Sequence, residues 1–387
     1  FVVDFLLGDF PEAALRANLG ARLMGLRKPN GKLRPLAMGS VLRRLAARAA
    51  CDVLKPSLAA AVGPNQYGVG RKAGCELVHK CVTALVDEIP DRLVMSFDVR
   101  NAFGSLPRQQ VWDGVAARLP DLAPVAASWL RDPTLHVHWD ERGKSTAVTA
   151  HAGVDQGCPL SPLFFALGIA AALAKIVTRL SVLDAGVHVF AYLDDIVVTI
   201  SPVHAAAAHA VVQECLAESG LTLEGDKTKV WSRDSGVRAT LQAPLSARWV
   251  DKLHVLGSHT PWLDSEGRDE AAVPVGPDAS DKTPLAKARR LNQRLPQLMA
   301  AGLGLKSAYT LLHTFSQGCA NHLQRANFED GQWVQDLDDE LHKGLELLLG
   351  AATGAAHKEL AGFSAQDGGL AFASLTRRSA PAFLGSW

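Results

Sequence analysis

The chain alternates short, β-branched apolar runs with longer stretches of helical periodicity. Leu93, Val94, Met95, Ser96 and Phe97 read as a buried strand that ends in the carboxylate of Asp98. Val187 to Phe190 and Ile196 to Ile200 read as two further strands. Tyr192, Leu193, Asp194 and Asp195 stand between them, so a β-hairpin is predicted with two adjacent carboxylates at its tip. Leu163 to Ala174 is almost wholly apolar, too short to span a bilayer and closed by Lys175. It is predicted to be a buried helix with Ser161 as N-cap and Pro162 in its first turn. Helices are also expected at Val41 to Leu54, Glu76 to Asp87, Leu285 to Met299, Lys306 to Leu323 and Trp333 to Leu349. A polar stretch containing Pro and Gly, Asp264 to Pro284, reads as a linker ahead of the last three helices, and after Gly354 little periodicity is left.

Composition refines this picture. At 387 residues, 48% hydrophobic and 20% charged, the chain is long enough for two or three subdomains. A net charge of +1 argues against the basic footprint of a nucleic-acid binder, but the distribution argues for it. Residues before about Arg48 are rich in Arg and Lys, and Lys287, Arg289, Arg290, Arg294 and Lys306 form a second basic cluster. Asp336, Asp338, Asp339 and Glu340 form an acidic helix face instead. Clefts are charged locally, so the sum does not exclude such a partner.

Cys51, Cys75, Cys81, Cys158, Cys215 and Cys319 show no paired metal spacing and read as reduced, mostly buried thiols of an intracellular protein. His136 and His138 alternate on an expected strand, lack a third ligand and read as surface residues. Gly302, Gly304 and Lys306 do not have the spacing of a Walker-type phosphate loop. No signal peptide, transmembrane run or lipidation site is evident, and no membrane partner is expected. The chain opens at Phe1 inside an apolar stretch and reads as a piece of a longer polypeptide or a degraded gene copy.

The acidic pair carries the chemistry. Two carboxylates in a hydrophobic setting repel each other unless a cation neutralises them, and hard oxygen ligands at a tight turn suit Mg²⁺. Asp98 supplies a partner from elsewhere in the chain.

The order of the flanking motifs is specific. Asp98 is followed by Val99, Arg100, Asn101, Ala102 and Phe103; then come Gln156, Gly157, Cys158, Pro159, Leu160, Ser161 and Pro162. The Tyr-Leu-Asp-Asp turn is next, followed by Gly220 to Leu223 and Asp226 to Lys229. The series resembles the palm of a reverse transcriptase of the retrotransposon and group II intron branch. Lys28 to Leu36 resembles the fingers motif of that branch, and Asn65 to Arg71 the segment before the palm. Leu253 to Ser258 looks like the primer-grip turn, and Asp367 to Leu370 resembles a late signature of non-LTR retrotransposon proteins.

The resemblance implies an α+β, right-hand polymerase fold, its palm an antiparallel sheet packed on helices. Fingers would occupy 1–90, palm 91–265, a linker 266–284, a helical thumb 285–350 and a C-terminal extension 351–387. The implied function is RNA-directed DNA synthesis, extending a primer 3′-hydroxyl with dNTPs on an RNA template for retrotransposition. Two Mg²⁺ ions, with Mn²⁺ as a substitute, would serve the phosphoryl transfer. Asp98 and Asp194 are the expected bridging ligands and Asp195 a secondary ligand or orienting group, since neighbouring residues on a strand-like turn face different ways.

Lys227 resembles the lysine that protonates the leaving pyrophosphate, although Lys229 stands two residues away. Phe103 matches the residue under the incoming sugar, whose bulk would exclude a ribose 2′-hydroxyl. Gln156 and Gly157 would support nucleotide and template, Tyr192 would touch substrate, and Lys32 and Arg34 would grip the triphosphate. Arg43, Arg44 and Arg48 would add phosphate contacts. The expected partners are an RNA template, a DNA primer and dNTPs, the expected setting is intracellular and nuclear, and the oligomeric state is left open. The competing readings are a non-catalytic polymerase-like scaffold or dead copy, a group II intron-type maturase and a retron polymerase.

Overall fold

The computed structural model describes residues 2–27, 31, 33–234, 236–237, 241, 247–250, 254–256, 258–259, 283–326 and 332–386. The predicted linker lies outside them except for Thr283 and Pro284, as do Lys28, Pro29, Asn30, Lys32, Leu253 and Gly257. The chain divides into two compact units, Phe1–Val78 with Val82–Asp251, and His79–Cys81 with Lys252–Trp387.

The first unit opens with two short helices, α1 (Val2–Leu7) and α2 (Glu12–Leu19), and a hairpin of β1 (Ala21–Arg27) and β2 (Leu33–Gly39). α3 (Val41–Val62) begins where the Ser40 side chain accepts the N–H of Arg43, and it runs eight residues past the expected end at Leu54. Pro56 inside it forgoes one helix hydrogen bond, yet Leu58, Ala61 and Val62 are buried, and that packing keeps the segment helical. α4 (Gly74–Glu88) leads into β3 (Leu93–Phe97), followed by α5 (Ala102–Ser105), α6 (Arg108–Arg118) and α7 (Ala123–Leu130). A second hairpin, β4 (Thr134–Trp139) with β5 (Ser145–Ala150), joins the first in a sheet of order β2-β1-β4-β5.

α8 (Ser161–Leu183) is longer than its apolar sequence suggested, continuing past Lys175 to 23 residues. By length and composition it is apolar enough to cross a membrane, but 67% of its most apolar window is buried inside the protein. Leu163 through Ala170 are buried without interruption, as expected of a helix wrapped by other elements. Its N-cap is Leu160, not Ser161, and no side chain caps it. Pro162 in the first turn needs no N–H partner, so the start is set one residue earlier than expected.

β6 (His188–Tyr192), β7 (Asp195–Ile200), α9 (Ala205–Glu218), β8 (Lys229–Ser232) and β9 (Arg248–Trp249) complete the unit. They form a five-stranded sheet of order β6-β7-β3-β8-β9, with β3 antiparallel to both neighbours. Five consecutive residues of β7, Ile196 to Ile200, are buried, and so are Leu93, Val94, Met95 and Phe97 of β3. Two central strands this apolar hold their register firmly, because a slip by one residue would exchange their packed faces. Asp184 ties the base of the β6–β7 hairpin, accepting from the N–H groups of Gly186 (2.8 Å) and Ser201 (2.9 Å) and pairing with Arg92 at 3.2 Å.

The second unit contains the small pair β10 (His254–Val255) and β11 (Ser258–His259) and a set of helices. These are α10 (Pro284–Ala300), α11 (Leu305–Leu311), α12 (Asn321–Ala326), α13 (Gln332–Leu349), α14 (Ala355–Gly362) and α15 (Leu375–Leu384). The single helix expected from Lys306 to Leu323 is instead broken by a π-turn at Leu312–Ser316 and a 3₁₀ turn at Gln317–Ala320. The tail with little periodicity forms α14 and α15, and Phe372 and Leu375 join the buried cluster of Leu295, Leu312, Val334 and Leu341.

Candidate active site

The turn between β6 and β7 is as tight as a hairpin allows. Tyr192 pairs with Asp195, leaving Leu193 and Asp194 as its two central residues, and Leu193 adopts left-handed backbone with φ +56°. β7 pairs with β3 in a register that ends at Phe97 opposite Ile196. One step further along that register puts Asp98 opposite Asp195, with Asp194 beside them in the turn. The exit of β3 is fixed on its other side, where the N–H of Glu224 donates to the Asp98 carbonyl at 2.9 Å and that of Arg100 to Thr222 at 2.8 Å.

Lys227 ends a 3₁₀ turn, Gly225–Lys227, and its Nζ lies 2.9 Å from Asp98 Oδ1. Lys229, at the start of β8, acts on Asp195 instead. The Asp195 carboxyl is pushed up to about 6, first by desolvation among its neighbours and then by repulsion from Asp194 and Asp98, with Lys229 pulling the other way. This mutual repulsion is the strain a cation relieves, and carboxylate oxygens are the hard donors that suit a divalent ion such as Mg²⁺. In donor type the residues fit such an ion. Among the described residues no cluster of three or more metal-ligating side chains stands ready-formed, and one oxygen of Asp98 is engaged by Lys227.

The loop before α8 lies on the other expected contacts. Gly157 has φ +128°, and a Cβ there would sit 2.9 Å from the Ala37 carbonyl oxygen, so the position takes glycine for both conformation and space. Gln156 accepts the Ala37 N–H at 2.9 Å through its backbone carbonyl, which joins the loop to β2, and its side-chain Oε1 is buried. Phe103 is half-buried, stacked face to face on Phe165 at 4.6 Å, and its carbonyl accepts the N–H of Val154. Arg34 is exposed on β2, whereas Lys32 lies outside the described residues. Tyr192 is half-buried and engages Cys75, a contact that with burial raises its phenol to about 12.

Two expectations are corrected by burial. Arg43, counted among the phosphate-binding cations, is buried, donating to the Leu19 carbonyl at 2.8 Å and to Asp155 Oδ2 at 2.7 Å. His136, read as a surface residue, is buried too, its Nε2 2.9 Å from Asp155 Oδ1, while His138 is exposed. Burial pushes Asp155 up, but His136 and Arg43 outweigh it and hold the carboxyl below its usual range. Asp155 immediately precedes Gln156, so the buried group anchors the loop. Gln66, within the segment that resembles the approach to the palm, is fully buried, and its Oε1 accepts the N–H of Leu193 at 2.8 Å. The only local sign was its place in the Asn65 to Arg71 segment, which carries turn residues but no charge at position 66.

The sequence profile of the reverse transcriptase (RNA-dependent DNA polymerase) family matches residues 26–260, more than half of the chain. The chain belongs to the reverse transcriptase family. Asp98, the hairpin carboxylates and Lys227 all fall inside the matched region of this reverse transcriptase chain. It is 28% identical over 231 residues to the retrotransposable element SLACS 132 kDa protein of Trypanosoma brucei gambiense, a similarity covering 57% of this chain and 19% of that protein. The chain thus spans about a fifth of that relative's length. Among solved structures, it is similar to telomerase from Candida albicans in complex with a fragment of telomeric RNA, at 11% identity and TM-score 0.49, over 96% of this chain and 67% of that one. Apo telomerase from Candida tropicalis is similar at 12% identity and TM-score 0.49, over 88% of this chain and 64% of that one.

Proposed function

We propose that the chain is an RNA-directed DNA polymerase of a non-LTR retrotransposon, extending a DNA primer with dNTPs on an RNA template inside the cell, in the nucleus. The observation that carries this reading is the meeting of Asp98 with the Tyr192–Asp195 turn at the end of the central strands, inside the family match. A polymerase-like scaffold would have no use for mutually repelling carboxylates backed by two lysines.

Asp98 and Asp194 would hold the divalent ions and Asp195 orient them. When bound, the ions supply activation of the attacking 3′-hydroxyl and neutralisation of the leaving pyrophosphate. The protein's own residues do the rest. Phe103 bears on the sugar of the incoming nucleotide, Gln156 and Gly157 support base and template, and Lys32 and Arg34 hold the triphosphate. Lys227 is the proton donor to the leaving group, its ammonium already beside Asp98. The basic face of α10, with Lys287, Arg290 and Arg294, supports a backbone-reading role on the template–primer duplex.

Extension of a DNA primer annealed to RNA, with Mg²⁺ and dNTPs, tests the reading. Template-dependent products support it; a folded chain that binds the duplex yet adds no nucleotide is the scaffold or dead copy.

A further inference from the structure

We infer that Gln66 is the positioning residue of the catalytic turn, its side-chain oxygen holding the backbone of Leu193 and thereby the two carboxylates that follow. The inference rests on the polymerase reading above and names how its site is held.

The Asn65–Gly68 segment runs alongside β6 as an added piece of strand. The N–H of Tyr67 donates to the Ala191 carbonyl at 2.7 Å, and that of Ala191 to Asn65 at 2.8 Å. Asn65 Nδ2 donates to the Val189 carbonyl at 2.9 Å. From this platform Gln66, with no exposed surface, reaches the turn, and its Oε1 accepts from Gly68 N–H at 2.9 Å and from Leu193 N–H at 2.8 Å. The assignment of oxygen and nitrogen follows from the partners, because two N–H donors cannot face an NH₂ group. Nε2 is buried without a hydrogen-bond partner. A fully buried amide that leaves a donor orphaned to serve two backbone donors is set by those donors and not by general packing.

Leu193 needs such a restraint. Its left-handed backbone is unfavourable for a leucine and persists only where the surroundings determine it. Gly68 lets the restraint close, since a Cβ there would lie 2.9 Å from the Leu193 nitrogen. Without the acceptor, Leu193 can relax out of this conformation, and Asp194 and Asp195 turn with it, away from Asp98.

Gln66→Met keeps the volume, removes the acceptor and also removes the orphaned donor. A packing role predicts unchanged or better behaviour. Positioning predicts a kcat loss of about 10²-fold, the scale of a misplacement near 1 Å, with KM for dNTP within about twofold. In a Leu193→Gly background, where left-handed backbone is free, the same substitution should cost markedly less. Amide hydrogen exchange gives a readout independent of activity. In the parent the Leu193 N–H should be protected, and in Gln66→Met it should exchange faster while the strand amides of β7 stay protected. Fast exchange at Leu193 in the folded parent, an unchanged kcat in Gln66→Met, or losses that simply multiply with Leu193→Gly would each overturn the inference. A parent that is inactive but protects Leu193 through Gln66 would fail the polymerase reading and leave the positioning intact.

Discussion

Lys227 Nζ stands 2.9 Å from Asp98 Oδ1, so the carboxylate proposed to bind metal is already paired with the proposed proton donor. A divalent ion and this ammonium compete for the same oxygen. Both side chains are partly open to water, so the pair is weak and easily displaced. Lys227→Met should therefore bind Ca²⁺ or Mg²⁺ more tightly, by about twofold to fivefold for a pair worth up to about 1 kcal/mol, while nucleotide addition slows by about 10²-fold through loss of the acid. Calorimetric titration of the ion and single-nucleotide kinetics measure the two separately. Weaker ion binding by the variant would mean that Lys227 does not oppose the metal.

The Asp195 carboxyl, raised to about 6, gives a pH dependence with a definite sign. Its contribution favours folding fully below its unfolded value near 3.8 and is lost as pH rises through about 6. Asp195→Asn should therefore stabilise the metal-free protein at pH 8 by about 1 kcal/mol, after discounting for solvent screening on this open side chain, and leave it unchanged near pH 3.5. Thermal melts at the two pH values, with and without Mg²⁺, check this, and the ion should shrink the difference at pH 8.

Arg43 and Asp155 are both buried, and without Arg43 the carboxylate keeps only His136 beside it. Arg43→Met should cost about 3–5 kcal/mol and loosen the Gln156–Gly157 loop. Here the sign with pH is opposite. Asp155 is held below its usual range, so its stabilisation is present above the unfolded value and is lost as pH falls through the lowered folded one. Denaturant melts of the parent and Asp155→Asn should differ at pH 7 and converge in acid.

Phe103 lies flat on Phe165, 4.6 Å between centroids and 9° between planes, so the ring cannot swing aside without losing a stacked partner. A gate with so firm a backing should discriminate strongly. Phe103→Ala should raise ribonucleotide incorporation relative to deoxynucleotide by about 10-fold or more, with about 3 kcal/mol of stability lost from the truncated ring. Competition assays with both nucleotide types measure the ratio; an unchanged ratio would remove Phe103 from the sugar site.

Much of the site was legible because its elements are local. The β-branched runs beside Tyr192–Asp195 and the apolar run into Asp98 announce strands ending in carboxylates, and β3, β6 and β7 form there. What escaped depends on partners far apart in sequence. Nothing near Arg43 shows that it meets Asp155, 112 residues on, and its basic neighbours point to a phosphate contact instead. Likewise, the amide of Gln66 finds its role only against Leu193, 127 residues away. Helix lengths failed where packing overrides local signals, at Pro56 within α3 and Lys175 within α8, and the π-turn at Leu312–Ser316 has no marker in its residue types.

If Asp98 and the Tyr192–Asp195 turn form a metal-dependent polymerase centre, neither Asp98 nor Asp194 can be spared. Single-turnover addition of one dNTP to a DNA primer on an RNA template, by the parent and by Asp98→Asn and Asp194→Asn, decides this. The parent should add the nucleotide in Mg²⁺, and each variant should fall by about 10³-fold or more with circular dichroism and duplex binding preserved. Addition by either variant at a rate near the parent's would contradict it.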